Sequence, residues 1–153
     1  FGALLTWFMI ADVTLIKEGA KNAINIANQA LEVAQNPKIQ NFFFEVLLRI
    51  ILAKSFMALE DFDSAQININ EGIKIAQAFD MQDLLCRLYI LNGDCYRELG
   101  LVTSHKQKQY INNAQKMYNE ALELSKITMN SDIYQQITSA LDDLNEFCKH
   151  NKL

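Results

Sequence analysis

Proline and glycine are scarce in this sequence, which has one Pro and five Gly among 153 residues. These two residues form most tight turns, and an all-β fold needs many such turns. Their scarcity therefore argues against a β-sandwich or a β-barrel. Half of the residues are hydrophobic and 21% are charged, as in globular rather than disordered proteins. We expect an all-α fold.

Groups that carry catalysis are also rare. The only histidines, His105 and His150, lie in polar stretches, and the HExxH motif, the GxSxG motif and a glycine-rich phosphate loop are absent from the sequence. We therefore predict no catalytic site, no metal site and no cofactor, so that the protein is not an enzyme. The net charge is −4, and Lys and Arg form no stripe that could follow a phosphate backbone. Nucleic acid is not an expected partner.

The three cysteines have no CxxC spacing. Cys86 and Cys95 are nine residues apart, which places them on roughly opposite faces of one helix. Reduced core thiols of this kind, including Cys148, are usual in cytoplasmic proteins. We expect a cytoplasmic location.

Long uncharged apolar runs are missing as well. The opening run, residues 1–11, is too short to span a bilayer, and no basic segment precedes it as in a signal peptide. The run at 42–59 has a spanning length but contains Glu45, Arg49 and Lys54, which predicts a core helix. We expect no membrane partner. Because residue 1 is Phe, we also expect the chain to be part of a longer one.

Apolar residues recur at helical spacing in seven segments, which predicts seven helices. Gly19, Pro37 and Gly100 stand at predicted helix ends. Short links favour antiparallel hairpins of the first and second, third and fourth, and fifth and sixth segments. Residues 101–109 are predicted to form a polar extended loop or an early helical turn. The segments are about 3–17, 21–35, 40–59, 63–79, 82–99, 108–127 and 132–148.

One sequence motif occurs in three similar copies. It reads KNAINIANQALEVAQ at 21–35, DSAQININEGIKIAQ at 63–77 and NNAQKMYNEALELSK at 112–126. Small residues recur in it, among them Ala23, Ala65 and Ala114. Small residues on one helix face allow a neighbouring helix to approach closely. The motif therefore predicts the second helix of a hairpin that occurs three times.

The repeated hairpin resembles the tetratricopeptide repeat (TPR) family, in which the motif sets large and small residues at fixed positions on two helices. The third copy matches best, and the steps between copies, 42 and 49 residues, are longer than the family period of about 34. The residues of the third copy that carry the resemblance are Tyr89, Gly93, Tyr96, Leu99, Gly100, Ala114, Tyr118 and Ala121.

The resemblance implies one superhelical domain over residues 1–153. It has repeats at about 4–37, 42–79 and 83–127, and a polar-backed capping helix at 132–148. It also implies that the first helix of each hairpin lines a concave groove that binds a partner protein, as a peptide or a helix. The groove residues carried over from the family are Phe8, Asp12, Ile50, Lys54, Met57, Arg87, Ile90, Asp94 and Arg97.

The apolar groove residues, mixed with Lys54, Arg87 and Arg97, suit a partner that has apolar anchors and acidic groups. The function expected from the resemblance is a scaffold or interaction module. An alternative is a regulatory domain of a bacterial regulator that senses a small ligand or peptide in the same groove. The apolar first helix additionally allows self-association, or a cover of further repeats.

Overall fold

The structure, a computed structural model, describes residues 2–17 and 19–151 and is helical almost throughout. Within these ranges there are seven α-helices, one short 3-10 turn at Ser104–Lys106 and no strand. This confirms the predicted all-α fold of three hairpins and a final helix. The helices are α1 (Gly2–Lys17), α2 (Ala20–Gln35), α3 (Phe42–Ala58), α4 (Phe62–Ala78), α5 (Gln82–Val102), α6 (Gln107–Thr128) and α7 (Ser131–Asn151).

Helix starts and turns follow local side-chain chemistry. The side chain of Asn41 accepts a hydrogen bond from the backbone N–H of Phe44 at 3.1 Å, and Asp61 caps α4 in the same way through Ser64. Both are N-caps that satisfy otherwise unpaired backbone donors. Gly19 links α1 to α2 with φ at 97°, a left-handed conformation that favours glycine.

The chain divides into two compact units, Phe1–Met81 and Gln82–Leu153. In the first unit α2 packs against α1 and α3, α3 packs against α4, and α1 also contacts α3. Its core joins the apolar faces of α1 and α3 to the alanines of α2. The buried members of this core are Leu4, Ala11, Ala27, Ala30, Ala34, Phe44, Leu48, Ile51 and Leu52.

A charged pair is almost enclosed in the first unit. Oε1 of Glu45 accepts hydrogen bonds from Arg49 at 2.8 Å and 3.2 Å and from Nε2 of Gln35 at 2.7 Å. Glu45 is buried, and the Arg49 side chain is only 13% exposed. Because the guanidinium is neutralised on its own helix, the position tolerates a cation near the core.

In the second unit α6 packs against α5 and α7, and α7 also contacts α5. The predicted stripe of α7 is confirmed, since Ile133, Ile137 and Leu144 are buried and Leu141 and Cys148 are half-buried. The buried members of this core are Cys86, Ile111, Ala114, Tyr118, Ala121, Ile133, Ile137 and Leu144.

The motif that occurs three times forms the buried stripe of each second helix, as predicted. Four positions at spacings of four, three and four residues face inward on all three helices, and every one of them is buried. The stripes are Ala23, Ala27, Ala30 and Ala34 on α2; Ala65, Ile69, Gly72 and Ala76 on α4; and Ala114, Tyr118, Ala121 and Ser125 on α6.

One predicted helix end was wrong. Gly100 does not close α5, which continues to Val102, and α6 begins at Gln107, so most of residues 101–109 is helical. A Cβ atom on Gly100 would lie 3.0 Å from Cδ1 of Ile111. The glycine therefore serves close packing between α5 and α6, which a helix-stop rule does not anticipate.

A membrane-crossing helix would have to be longer and more apolar than any helix in the described parts of the chain. The single domain over residues 1–153 stays a prediction.

Candidate functional site

The candidate site is a cleft between α5 and α7 with a volume of about 500 Å³. It brings together parts of the chain that are about forty residues apart in the sequence. Three residues predicted for the groove, Ile90, Asp94 and Arg97, lie on its α5 side, because their spacing of four and three residues places them on one helix face. The α7 side consists of Gln135, Gln136, Ser139, Ala140 and Asp143.

Asp94 is held from the side of α6. The hydroxyl of Tyr118 donates a hydrogen bond to Oδ1 of Asp94 at 2.7 Å. The Tyr118 ring is fully buried, and a Cβ atom on Gly93 would lie only 2.5 Å from it. The absence of a side chain at position 93 therefore lets the ring lie against α5 and fixes the carboxylate next to it.

Burial raises the pKa of the Tyr118 hydroxyl, and the neighbouring Asp94 carboxylate raises it further. Both effects disfavour a phenolate, since burial penalises a charge and a second negative group repels it. Tyr118 therefore remains a hydrogen-bond donor throughout the physiological pH range. The Asp94 carboxylate is presented to the cleft in a fixed orientation.

Arg97 is an internally paired cation. Its Nη2 donates to Oε1 of Glu98 at 3.2 Å, and its Nη1 lies 3.9 Å from Oδ1 of Asp94. Burial lowers the pKa of this guanidinium, but Tyr118, Asp94 and Glu98 together raise it above the ordinary value. The group stays charged, and its side chain is 31% exposed at the edge of the cleft.

The α7 side of the cleft supplies neutral polar groups and one carboxylate, that of Asp143. Gln135, Gln136 and Ser139 are exposed, and amides and hydroxyls can both donate and accept hydrogen bonds. Ile90 and Ala140 add apolar surface between them. Such a lining can bind a peptide backbone together with an apolar side chain. Among the described residues no three His, Cys, Asp or Glu side chains are placed to hold a metal ion.

The remaining predicted groove residues lie elsewhere. Arg87 is exposed on α5, one turn before Ile90 on the same face. In the first unit, Phe8 packs half-buried against the core from α1, and Asp12 is half-buried on the same helix. The α3 residues differ in exposure: Ile50 is buried, Met57 is half-buried and Lys54 is exposed.

Two other clefts are each built from one continuous stretch of chain. One of about 600 Å³ is lined by residues between Ser104 and Asn113, including His105. The other, of about 420 Å³, follows the α6–α7 turn from Ser125 to Gln135. Because neither joins distant parts of the sequence, neither assembles groups that the local chain does not already place together.

Sequence reasoning missed the α7 side of the candidate site, because α7 was assigned only the role of a cap. A usable signal was present. Gln135, Ser139 and Asp143 recur at intervals of four residues, which makes one polar face along the helix. The contribution of Tyr118 was also missed, since the sequence identified it only as part of the repeat motif.

Comparison with solved structures shows the fold. The crystal structure of the apo form of RapI superimposes with a TM-score of 0.79 at 16% sequence identity. The match covers 96% of this chain and 50% of that one, so this chain spans about half the length of RapI. No protein-family model and no curated protein sequence matches this chain. The chain thus has an all-α helical-repeat fold like that of RapI.

Proposed function

We propose that this chain is a long-period member of the TPR family and a non-catalytic interaction module that binds a partner protein through the cleft between α5 and α7. The observation that carries the proposal is the meeting of Ile90, Asp94 and Arg97 with the polar face of α7. The partner segment is a peptide or a helix, and the protein works in the cytoplasm without nucleic acid or membrane as partner.

The chemistry of the cleft defines what the partner offers. Apolar surface from Ile90 and Ala140 suits one apolar anchor, and the amides of Gln135 and Gln136 suit backbone groups of the partner. Arg87, exposed one turn along α5, suits an acidic group beside that anchor. Arg97 contributes less to net attraction, because Glu98 and Asp94 already offset its charge.

The test is selection of binding peptides from a random display library, followed by measurement of their Kd on variants. Ser139→Arg places a long side chain in the cleft, and Asn145→Arg makes the same charge change at an exposed α7 position outside the cleft lining. We expect at least about a tenfold loss of affinity, or roughly 1.4 kcal/mol, for Ser139→Arg only. Equal affinities for the two variants would reject the site.

A second candidate function, sensing of a small ligand or peptide in a bacterial regulator, is favoured by the volume of the cleft. About 500 Å³ lies within the range of small-molecule sites. A sensing domain changes conformation when its ligand binds. Small-angle scattering with and without a selected peptide distinguishes the two, because a scaffold keeps its dimensions and a sensor changes them.

A further inference from the structure

The outward face of α1 is apolar and uncovered. The polar side chains between Gly2 and Ile16 are Thr6, Asp12 and the buried Thr14, and only Asp12 is charged. A helix that is apolar all round is normally buried all round. Here one half of the circumference packs into the core of the first unit, through Leu4 and Ala11. The large apolar side chains on the opposite half are exposed, namely Leu5, Met9, Ile10, Val13 and Ile16.

A constant step of 42 residues relates the first hairpin to the second. It carries Ala11 onto Ala53 and Ala23 onto Ala65, and all four are fully buried. It also carries the whole buried stripe of α2 onto that of α4. The two hairpins therefore have the same helix register, and equivalent positions can be compared directly.

The same step carries Met9 onto Ile51 and Ile10 onto Leu52. Met9 is 57% exposed and Ile10 47%, whereas Ile51 and Leu52 are each 1% exposed. The face that is open on α1 is therefore the face that α3 buries.

The structure shows what covers this face on α3. Ile51 and Leu52 belong to the same core cluster as Ala27, Ala30 and Ala34 of α2, and α2 packs directly against α3. The large residues of α3 thus meet the small residues of the preceding second helix. Because the exposed face of α1 has the same register as that of α3, we expect it to pack against a helix that presents small residues in the same way.

We infer that the outward face of α1 is the docking surface for a further helical hairpin, which precedes α1 in the same polypeptide. The second helix of that hairpin presents a stripe of small residues. This inference does not rest on the proposed function of the cleft between α5 and α7.

A second copy of this chain fits the face less well. Its own small-residue stripes are buried within their units, so it has no free stripe to offer. Two α1 faces packed on each other would overlap along only about 22 Å, the length of fifteen helical residues. Such a contact is smaller than the roughly 800 Å² per partner of a stable interface. A hairpin in the same polypeptide needs no such area, because its effective concentration is high.

One experiment uses the natural polypeptide, with a photo-activated cross-linking residue in place of Met9 and, as a control, in place of the exposed Lys116 on α6. We expect Met9 to form a cross-link within the same polypeptide, detected by mass spectrometry, and Lys116 to form none. A cross-link from Met9 to a second copy or to another protein, or no cross-link at all, would overturn the inference.

A second experiment tests the packing itself. A duplicate of residues 1–42 joined directly ahead of Phe1 keeps the 42-residue step, so the added α2 stands to α1 as α2 stands to α3. We expect backbone amides of the original α1 to exchange at least about tenfold more slowly than in the 153-residue chain. Met9→Lys in the original α1 should abolish that protection, yet change the melting temperature of the 153-residue chain by less than about 1 °C.

Unchanged exchange in the extended chain, or the same protection with and without Met9→Lys, would show that the hairpin does not occupy this face. Sedimentation of the 153-residue chain completes the test. A dimer that Met9→Lys dissociates would identify a second copy as the occupant and refute the inference, whereas a monomer supports it.

Discussion

The contact between Gly93 and Tyr118 gives the sharpest prediction about this fold, because Gly93→Ala adds a single carbon atom. The new Cβ would lie 2.5 Å, 2.7 Å and 2.9 Å from three atoms of the Tyr118 ring. The ring cannot easily retreat, since it is fully buried and its hydroxyl is bonded to Asp94. We therefore expect Gly93→Ala to destabilise the second unit.

Two opposing effects set the magnitude. Alanine inside a helix is favoured over glycine by about 0.5–1 kcal/mol, because glycine loses more backbone entropy on folding. Overpacking a full core typically costs about 1–3 kcal/mol. The net expectation is a loss of roughly 1–2 kcal/mol, which for a chain of this length lowers the melting temperature by about 2–8 °C.

The assay is thermal and urea unfolding followed by circular dichroism, with a second background as the control. Tyr118→Ala removes the ring, so in that background Gly93→Ala should keep only its helix advantage and stabilise by about 0.5–1 kcal/mol. Gly100→Ala is a milder companion, because its Cβ would meet the tip of Ile111, a side chain that can rotate. A higher melting temperature for Gly93→Ala in the wild-type background, or an equal loss in both backgrounds, would refute the reasoning.

Three further changes test other parts of the structure. Asn41→Ala removes the cap of α3 and should cost about 1 kcal/mol in urea unfolding; an unchanged midpoint would contradict the cap. Arg49→Met leaves the buried Glu45 carboxylate without its main partner and should cost roughly 2–4 kcal/mol, whereas the double variant with Glu45→Gln should recover part of that loss. Burial raises the pKa of the Cys86 thiol from 9.0 to about 11, so the unfolded chain releases this proton first. Stability should therefore be full below pH 9 and fall between pH 9 and about 11, and Cys86→Ala should flatten this alkaline decline in melting temperature.

The sequence alone could predict only the α5 side of the candidate site. The spacing of Ile90, Asp94 and Arg97 places them on one face of α5, because helical periodicity is a local property. Which helix meets that face is a matter of tertiary packing. From the sequence, α7 was expected only to cap the repeats. In the structure its residues Gln136 and Ser139 also line the cleft, opposite α5.

The electrostatic state of the site was likewise beyond sequence reasoning. Arg97 is a cation in any sequence, but its partner Asp94 also accepts a hydrogen bond from Tyr118, twenty-four residues away on another helix. The bond depends on the close approach that Gly93 allows. Contacts between helices fix the distances on which Coulomb interactions depend, and no local pattern contains those distances.

The sequence by itself determined the seven helices, their pairing into hairpins and the buried stripe of each second helix. Local periodicity, helix caps and the motif that occurs three times encode these features, and each acts within one helix or one turn. Only the tertiary structure decided the role of Gly100, the lining of the cleft and the exposed half of α1. These depend on which surfaces meet, and whether an apolar face such as that of Met9 and Ile10 is core or surface depends on the neighbour that covers it.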